Sequence, residues 1–171
     1  MSTLENLIAV AVATSEISEG DLLFIFSRGE RKIYPAGEYL FREGTPCQWV
    51  GIIEDGEVEL TKKIANDDIV LSIPSKGATL AEAAMTGAVT HDVSACTRTG
   101  ATVWQVPVEE LQAMFQAQPD LYYRLIAGFA LEQRYVAGKL LQTRETLQKN
   151  YDQVVKEGWV SKDMLDYILK P

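Results

Sequence analysis

Apolar and polar positions alternate in short runs between Arg31 and Pro107: RKIY, EYLF, WVGIIE, EVELTKK, IVLSI, DVSAC and TVWQV, separated by PAG, REGTP, EDG, ANDD and RTG. A period of two with turn residues at that spacing predicts seven or eight short strands in an antiparallel barrel or sandwich. The flanks follow a helical period. Leu4, Leu7, Ile8 and Ala11 share one helical face, and SEGDLLFIFSRG opens with Ser18 as a cap before its apolar run. VPVEELQAMFQAQPD predicts a short helix that Pro119 ends or offsets. Residues 121–149 then predict one long helix. Its stripe of Tyr122, Ile126, Phe129, Gln133, Val136, Leu140, Thr143 and Leu147 advances in alternating steps of three and four, which makes a seam for a partner helix. Past a Ser161 cap, Val160, Met164, Leu165, Tyr167 and Ile168 predict a last short helix.

Composition narrows the chemistry. A chain of 171 residues with 47% apolar content suffices for one domain with an appended helical segment. Its net charge of −8 has the wrong sign for coating nucleic acid. That charge is uneven: residues 1–120 carry 8 basic and 18 acidic groups, residues 121–171 carry 8 and 6. Cys47 and Cys96 are the only thiols, too few for a disulfide scaffold or a cysteine-built zinc site, and they are expected as buried small hydrophobes in a reducing cytoplasm. His91 is the sole histidine, which excludes metal enzymes needing two or three imidazoles. The start, with Glu5 in its apolar stretch and no basic n-region, reads poorly as a signal peptide, and no stretch has the ~18 apolar residues of a membrane span.

The stretch YPAGEYLFREGTPCQWVGIIEDGEVEL, with Gly37, Gly44 and Gly56 at tight turns, resembles the cyclic-nucleotide-binding domain, the β-roll module of catabolite-activator-type regulators and protein kinase A regulatory subunits. The likeness covers roughly residues 20–148. It implies an α+β fold: an antiparallel double-stranded β-helix, a jelly-roll-like β-roll, flanked by N-terminal helices and a long C-terminal helix. The expected division is a binding-like domain over 1–148 and a helical tail over 149–171. Within the domain, N-terminal helices take about 2–28, the roll about 31–107, and the B and C helices about 108–148. The resemblance also implies dimerisation through the C helix. The segment YDQVVKEGWVSKDMLDYILKP is too short for the winged helix-turn-helix of the family's transcriptional members, so neither DNA nor membrane is an expected partner. Residues 150–171 are instead a candidate docking segment for another protein.

In the family, ligand sits in a phosphate-binding cassette, a Gly-Glu pair on a short helical turn followed after eight residues by arginine and a small residue. The matching stretch is GATLAEAAMTGAVTHDVSACT, and the implied ligand residues are Leu80, Ala81, Glu82, Ala83, Ala84, His91, Asp92 and Val136. Glu82 holds the ribose-binding position, with the alternative of a structural carboxylate capping nearby amides. The backbone of Ala83 and Ala84 is expected to offer amide donors, whereas Ala81 replaces the glycine and His91 the arginine. Asp92 stands in the small-residue position, and Val136 and Ala137 stand where catabolite activators have adenine-facing hydroxyls. His91 is read as a solvent-exposed loop histidine; the alternative is a phosphate contact whose pKa Asp92 raises. No cofactor is implied, and cAMP or cGMP is the candidate ligand. Two functions remain open: a non-enzymatic sensor of a cyclic nucleotide or related small anion, signalling through its C helix, and a dimerisation or interaction module whose degenerate pocket binds no nucleotide.

Overall fold

A computed structural model describes residues 3–12, 17–65 and 67–156. The expected Ser161-capped helix lies outside them. Two short helices come first: α1, Thr3–Val12, and α2, Glu19–Phe26. Ser18 caps α2, its Oγ accepting from the Asp21 N–H at 3.1 Å. Eight strands follow: β1 Glu30–Tyr34, β2 Tyr39–Phe41, β3 Trp49–Asp55, β4 Val58–Ile64, β5 Asp67–Ser72, β6 Thr79–Leu80, β7 Ser94–Thr97 and β8 Ala101–Pro107. A 3₁₀ turn, Glu82–Thr86, separates β6 from β7. Helices α3, Val108–Ala117, and α4, Pro119–Lys156, complete the described chain.

The strands form two four-stranded antiparallel sheets, ordered β1-β8-β3-β6 and β2-β7-β4-β5. The architecture is therefore the expected α+β β-roll. Seven strands answer the alternating runs; β6, two residues inside GATLAE, is too short to show a period. Alternation along β3 and β8 serves two cores. Val50, Ile52 and Val106 pack with Leu7, Ile8, Ile25, Phe26 and Leu111 under the helices, whereas Ile53, Val103 and Ala101 face Leu40, Phe41, Val58, Leu80 and Ala95 between the sheets. Gly56 turns β3 into β4 at φ 92°, and a Cβ there would collide with the Gly100 carbonyl and sit 2.8 Å from the Ala101 Cα. Only glycine satisfies both demands.

The chain divides into two compact units, 1–129 and 130–171. In the first, the start of α4 enters the helical core through Leu121 and Leu125, each 1% exposed. These two residues lie off the seam read from the sequence, on which Tyr122 and Ile126 are half-buried. Arg124 ties the same turns to α2 through a two-pronged bond to Asp21, Nη2 to Oδ1 at 2.6 Å and Nε to Oδ2 at 2.9 Å. In the second unit the helix continues to Lys156, with Leu131 and Leu141 exposed on it. No helix among the described residues is long and apolar enough to cross a membrane.

Asp21 is buried, and the bond from Arg124 is the main reason its carboxyl lies below the usual range. A depressed folded pKa means this contribution is present above the unfolded value and lost as the pH falls through the folded one. Arg124→Met is therefore expected to lower the unfolding free energy at neutral pH. In denaturant titrations the gap from wild type should shrink below the carboxylate range; a gap constant with pH would contradict the ionic role.

Candidate ligand-binding site

The candidate site begins where β6 gives way to the 3₁₀ turn. Ala81 stands between them at φ 58° and ψ 29°, in the left-handed region. That conformation costs a residue bearing a Cβ about 1–2 kcal/mol, so the bend that glycine makes freely is strained here. Strain of this kind persists when the surroundings over-determine it. Gly87 closes the turn at φ 93°.

The chain returns through a backbone clasp. Thr90 bridges Pro46, the His91 N–H donates to the Thr45 carbonyl at 2.9 Å, and the Gly44 N–H donates to the His91 carbonyl at 2.8 Å. The Cys47 N–H adds a bond to the Val89 carbonyl at 2.9 Å. So held, the His91 ring lies flat on Phe41 of β2, centroids 3.9 Å apart and planes at 7°. Phe41 meets Trp49 edge-on at 5.7 Å.

His91 is 6% exposed, which corrects the expectation of a solvent-exposed loop residue. Burial holds its pKa below the ordinary 6.5 and outweighs the upward pull of Asp92, so the net direction is also the reverse of the one expected for a phosphate contact. Cys47 Sγ lies 3.6 Å from Nδ1. Burial first, and Asp92 second, push that thiol's pKa up, so the pair is a neutral thiol beside a neutral imidazole. A thiol donating to Nδ1 places the ring proton on Nε2, where it is a donor.

Beside this pair lies a cavity of about 120 Å³. Phe41, Leu60, Leu80 and Val93 make apolar walls, His91 and Cys47 one side, and Ala81, Glu82, Ala83 and Asp92 the rest of the lining. It is smaller than the roughly 300–1,000 Å³ pockets that enclose drug-sized ligands. Among the described residues no arginine lines it. Arg42 lies over the Tyr39 ring at 3.5 Å, and Arg98 faces Glu57 and Glu59. An ammonium stands close by instead. Lys62 Nζ donates to the Asp92 carbonyl at 2.6 Å and pairs with Glu43 at 3.2 Å. Glu43 accepts from the Lys63 N–H at 3.0 Å, and that bond, then Lys62, holds its carboxyl below the usual range.

The fold thus brings together Leu80, Ala81, Glu82, Ala83, His91 and Asp92. Ala84 does not join them: it is buried, and its N–H is spent on the Ala81 carbonyl at 3.0 Å, so the expected amide donor at that position is withdrawn. The side chains of Val136 and Ala137 lie outside the described residues. Phe41, Cys47, Leu60 and Val93 were missed as lining residues. Leu60 shares the face of Val58 by simple alternation and was legible; nothing in the sequence marked Cys47. No three His, Cys, Asp or Glu side chains are grouped to hold a metal ion among the described residues.

A family model described as the cyclic nucleotide-binding domain matches residues 31–118, from β1 through α3 and across the whole cassette. The chain belongs to that family. No curated protein matches it. Solved structures agree on the fold of this cyclic nucleotide-binding domain. One, from Silicibacter pomeroyi DSS-3 and described provisionally as a cAMP-binding regulatory protein, has 20% identity and a TM-score of 0.67 over 82% of this chain and 65% of its own. The catabolite activator protein of Thermus thermophilus has 18% identity and a TM-score of 0.60, over 75% of this chain and 60% of its own. The regulatory domain of Toxoplasma gondii protein kinase A, solved with cAMP, has 19% identity and a TM-score of 0.56, over 65% and 42%. The chain thus spans less than two thirds of each.

A histidine with a lowered folded pKa gives the fold its full stability above about pH 6.5 and takes it away as the pH falls through the folded value, because the unfolded chain then binds the proton more readily. His91→Gln should therefore flatten the fall in unfolding free energy between pH 7.5 and 5. Parallel curves for wild type and variant would contradict the buried neutral imidazole.

Proposed function

We propose that this domain is a non-enzymatic regulatory module that takes a cyclic nucleotide or a related small anion in the cassette cavity and passes the change through α4 to a partner protein. We further propose that it works as a homodimer joined by α4, with residues 1–148 as the sensing part and 149–171 as a docking tail. The observation that carries the reading is the cassette: six of the eight residues expected at a ligand converge on one open cavity of about 120 Å³.

Cyclic nucleotide binding should be weak. An arginine grips a phosphodiester through two parallel charge-assisted bonds, each worth about 1.5–3 kcal/mol, whereas a neutral imidazole gives one uncharged bond. Asp92 adds a carboxylate on the same rim. A second reading, an interaction module that binds no nucleotide, is favoured by that same buried, neutral His91.

Thermal-shift titrations with cAMP and cGMP separate the two. A ligand at a hundred times its Kd adds about 2.7 kcal/mol, several degrees for a chain of this size. His91→Arg with Asp92→Ser should tighten cAMP binding at least tenfold, and Glu82→Ala should weaken it. No shift from folded wild type or folded double variant would leave the interaction module as the function.

A further inference from the structure

A cation beside the rim comes from β4, outside the cassette. Lys62 follows Leu60 by two residues in β4, so it projects from the same face as a residue that lines the cavity. Its Nζ reaches the carbonyl of Asp92, itself a lining residue, at 2.6 Å. Glu43 Oε1 pairs with the same ammonium at 3.2 Å, and the Lys63 amide donates to its other carboxylate oxygen. An ammonium has three N–H donors, and these two partners take two of them. The third takes no partner among the described residues, on a side chain that keeps 40% of its surface in solvent and stands just outside the cavity lining. His91 lines the cavity as well, and its neutral ring has one N–H to donate, while the apolar walls of Phe41, Leu60 and Leu80 limit how much of a ligand enters.

We propose that Lys62, and no residue of the cassette itself, is the cationic anchor of this site, and that the ligand is a compact oxyanion, a carboxylate or a phosphate, held between the Lys62 ammonium and His91. This deepens the reading above and rests on it. A cavity of about 120 Å³ suits such an anion better than a whole nucleotide. Glu43 is then a competitor for the same ammonium, a prediction with a sign of its own.

Isothermal titration of the full chain with succinate and with inorganic phosphate tests the assignment and tells the two oxyanions apart. Binding of either that Lys62→Met weakens at least tenfold, that Lys62→Arg largely retains, and that Glu43→Gln tightens supports the proposal; tightening in Glu43→Gln is a result a merely structural role would not produce. If Lys62→Met binds within twofold of wild type while Ala83→Phe, which crowds the rim, abolishes binding, Lys62 is not the anchor and the cavity remains a ligand site. If neither anion binds folded wild type, the oxyanion class is overturned. A cAMP shift in that same preparation would then leave the sensor reading standing, and its absence would remove both.

Discussion

The reciprocal backbone bonds between Thr45, Gly44 and His91 are the constraint on which the site depends. They join the β2–β3 loop to the strand returning from the 3₁₀ turn, and they fix position 91 before its side chain is considered. Held there, the His91 ring lies on Phe41, and both line the cavity. The strained Ala81 stands at the other end of the cassette. Its unfavourable backbone survives because β6, paired to β3, and the turn that follows leave it no alternative path.

The consequence is a cavity that no guanidinium lines among the described residues. The clasp presents a buried imidazole at the cavity, and burial favours its neutral form. Asp92, next in sequence, places its carboxylate at the rim and lends its carbonyl to Lys62. Charge on this rim is therefore a balance of Asp92, Glu82, Glu43 and one ammonium. A phosphodiester finds no bidentate partner in it.

Most of the architecture was legible because alternation reports burial directly. Val50 and Ile52 face the helices and Ile53 the roll interior, and the period of two along β3 and β8 says so before any coordinates do. Ser18 announced α2 by the chemistry of its cap. The site was less legible. Cassette spacing placed Glu82, His91 and Asp92 together, yet the burial of His91 follows from bonds to residues 44 and 45, a separation that local pattern does not report. Ala84 was misread because its amide closes the 3₁₀ turn and so cannot serve a ligand. Lys62 escaped notice since a lysine on a strand ordinarily reads as solvent-facing, and only the third dimension brings it to Asp92.

Because His91 is the chain's only histidine, its ring is a solitary reporter of the site. The most direct measurement is nitrogen-15 and proton NMR of that imidazole between pH 8 and 5. The account predicts a protonation midpoint below 6.5 and, above it, a neutral ring with its proton on Nε2 and Nδ1 bare toward Cys47. A midpoint at or above 6.5, or a proton on Nδ1, would contradict the buried, thiol-partnered imidazole around which the site is described.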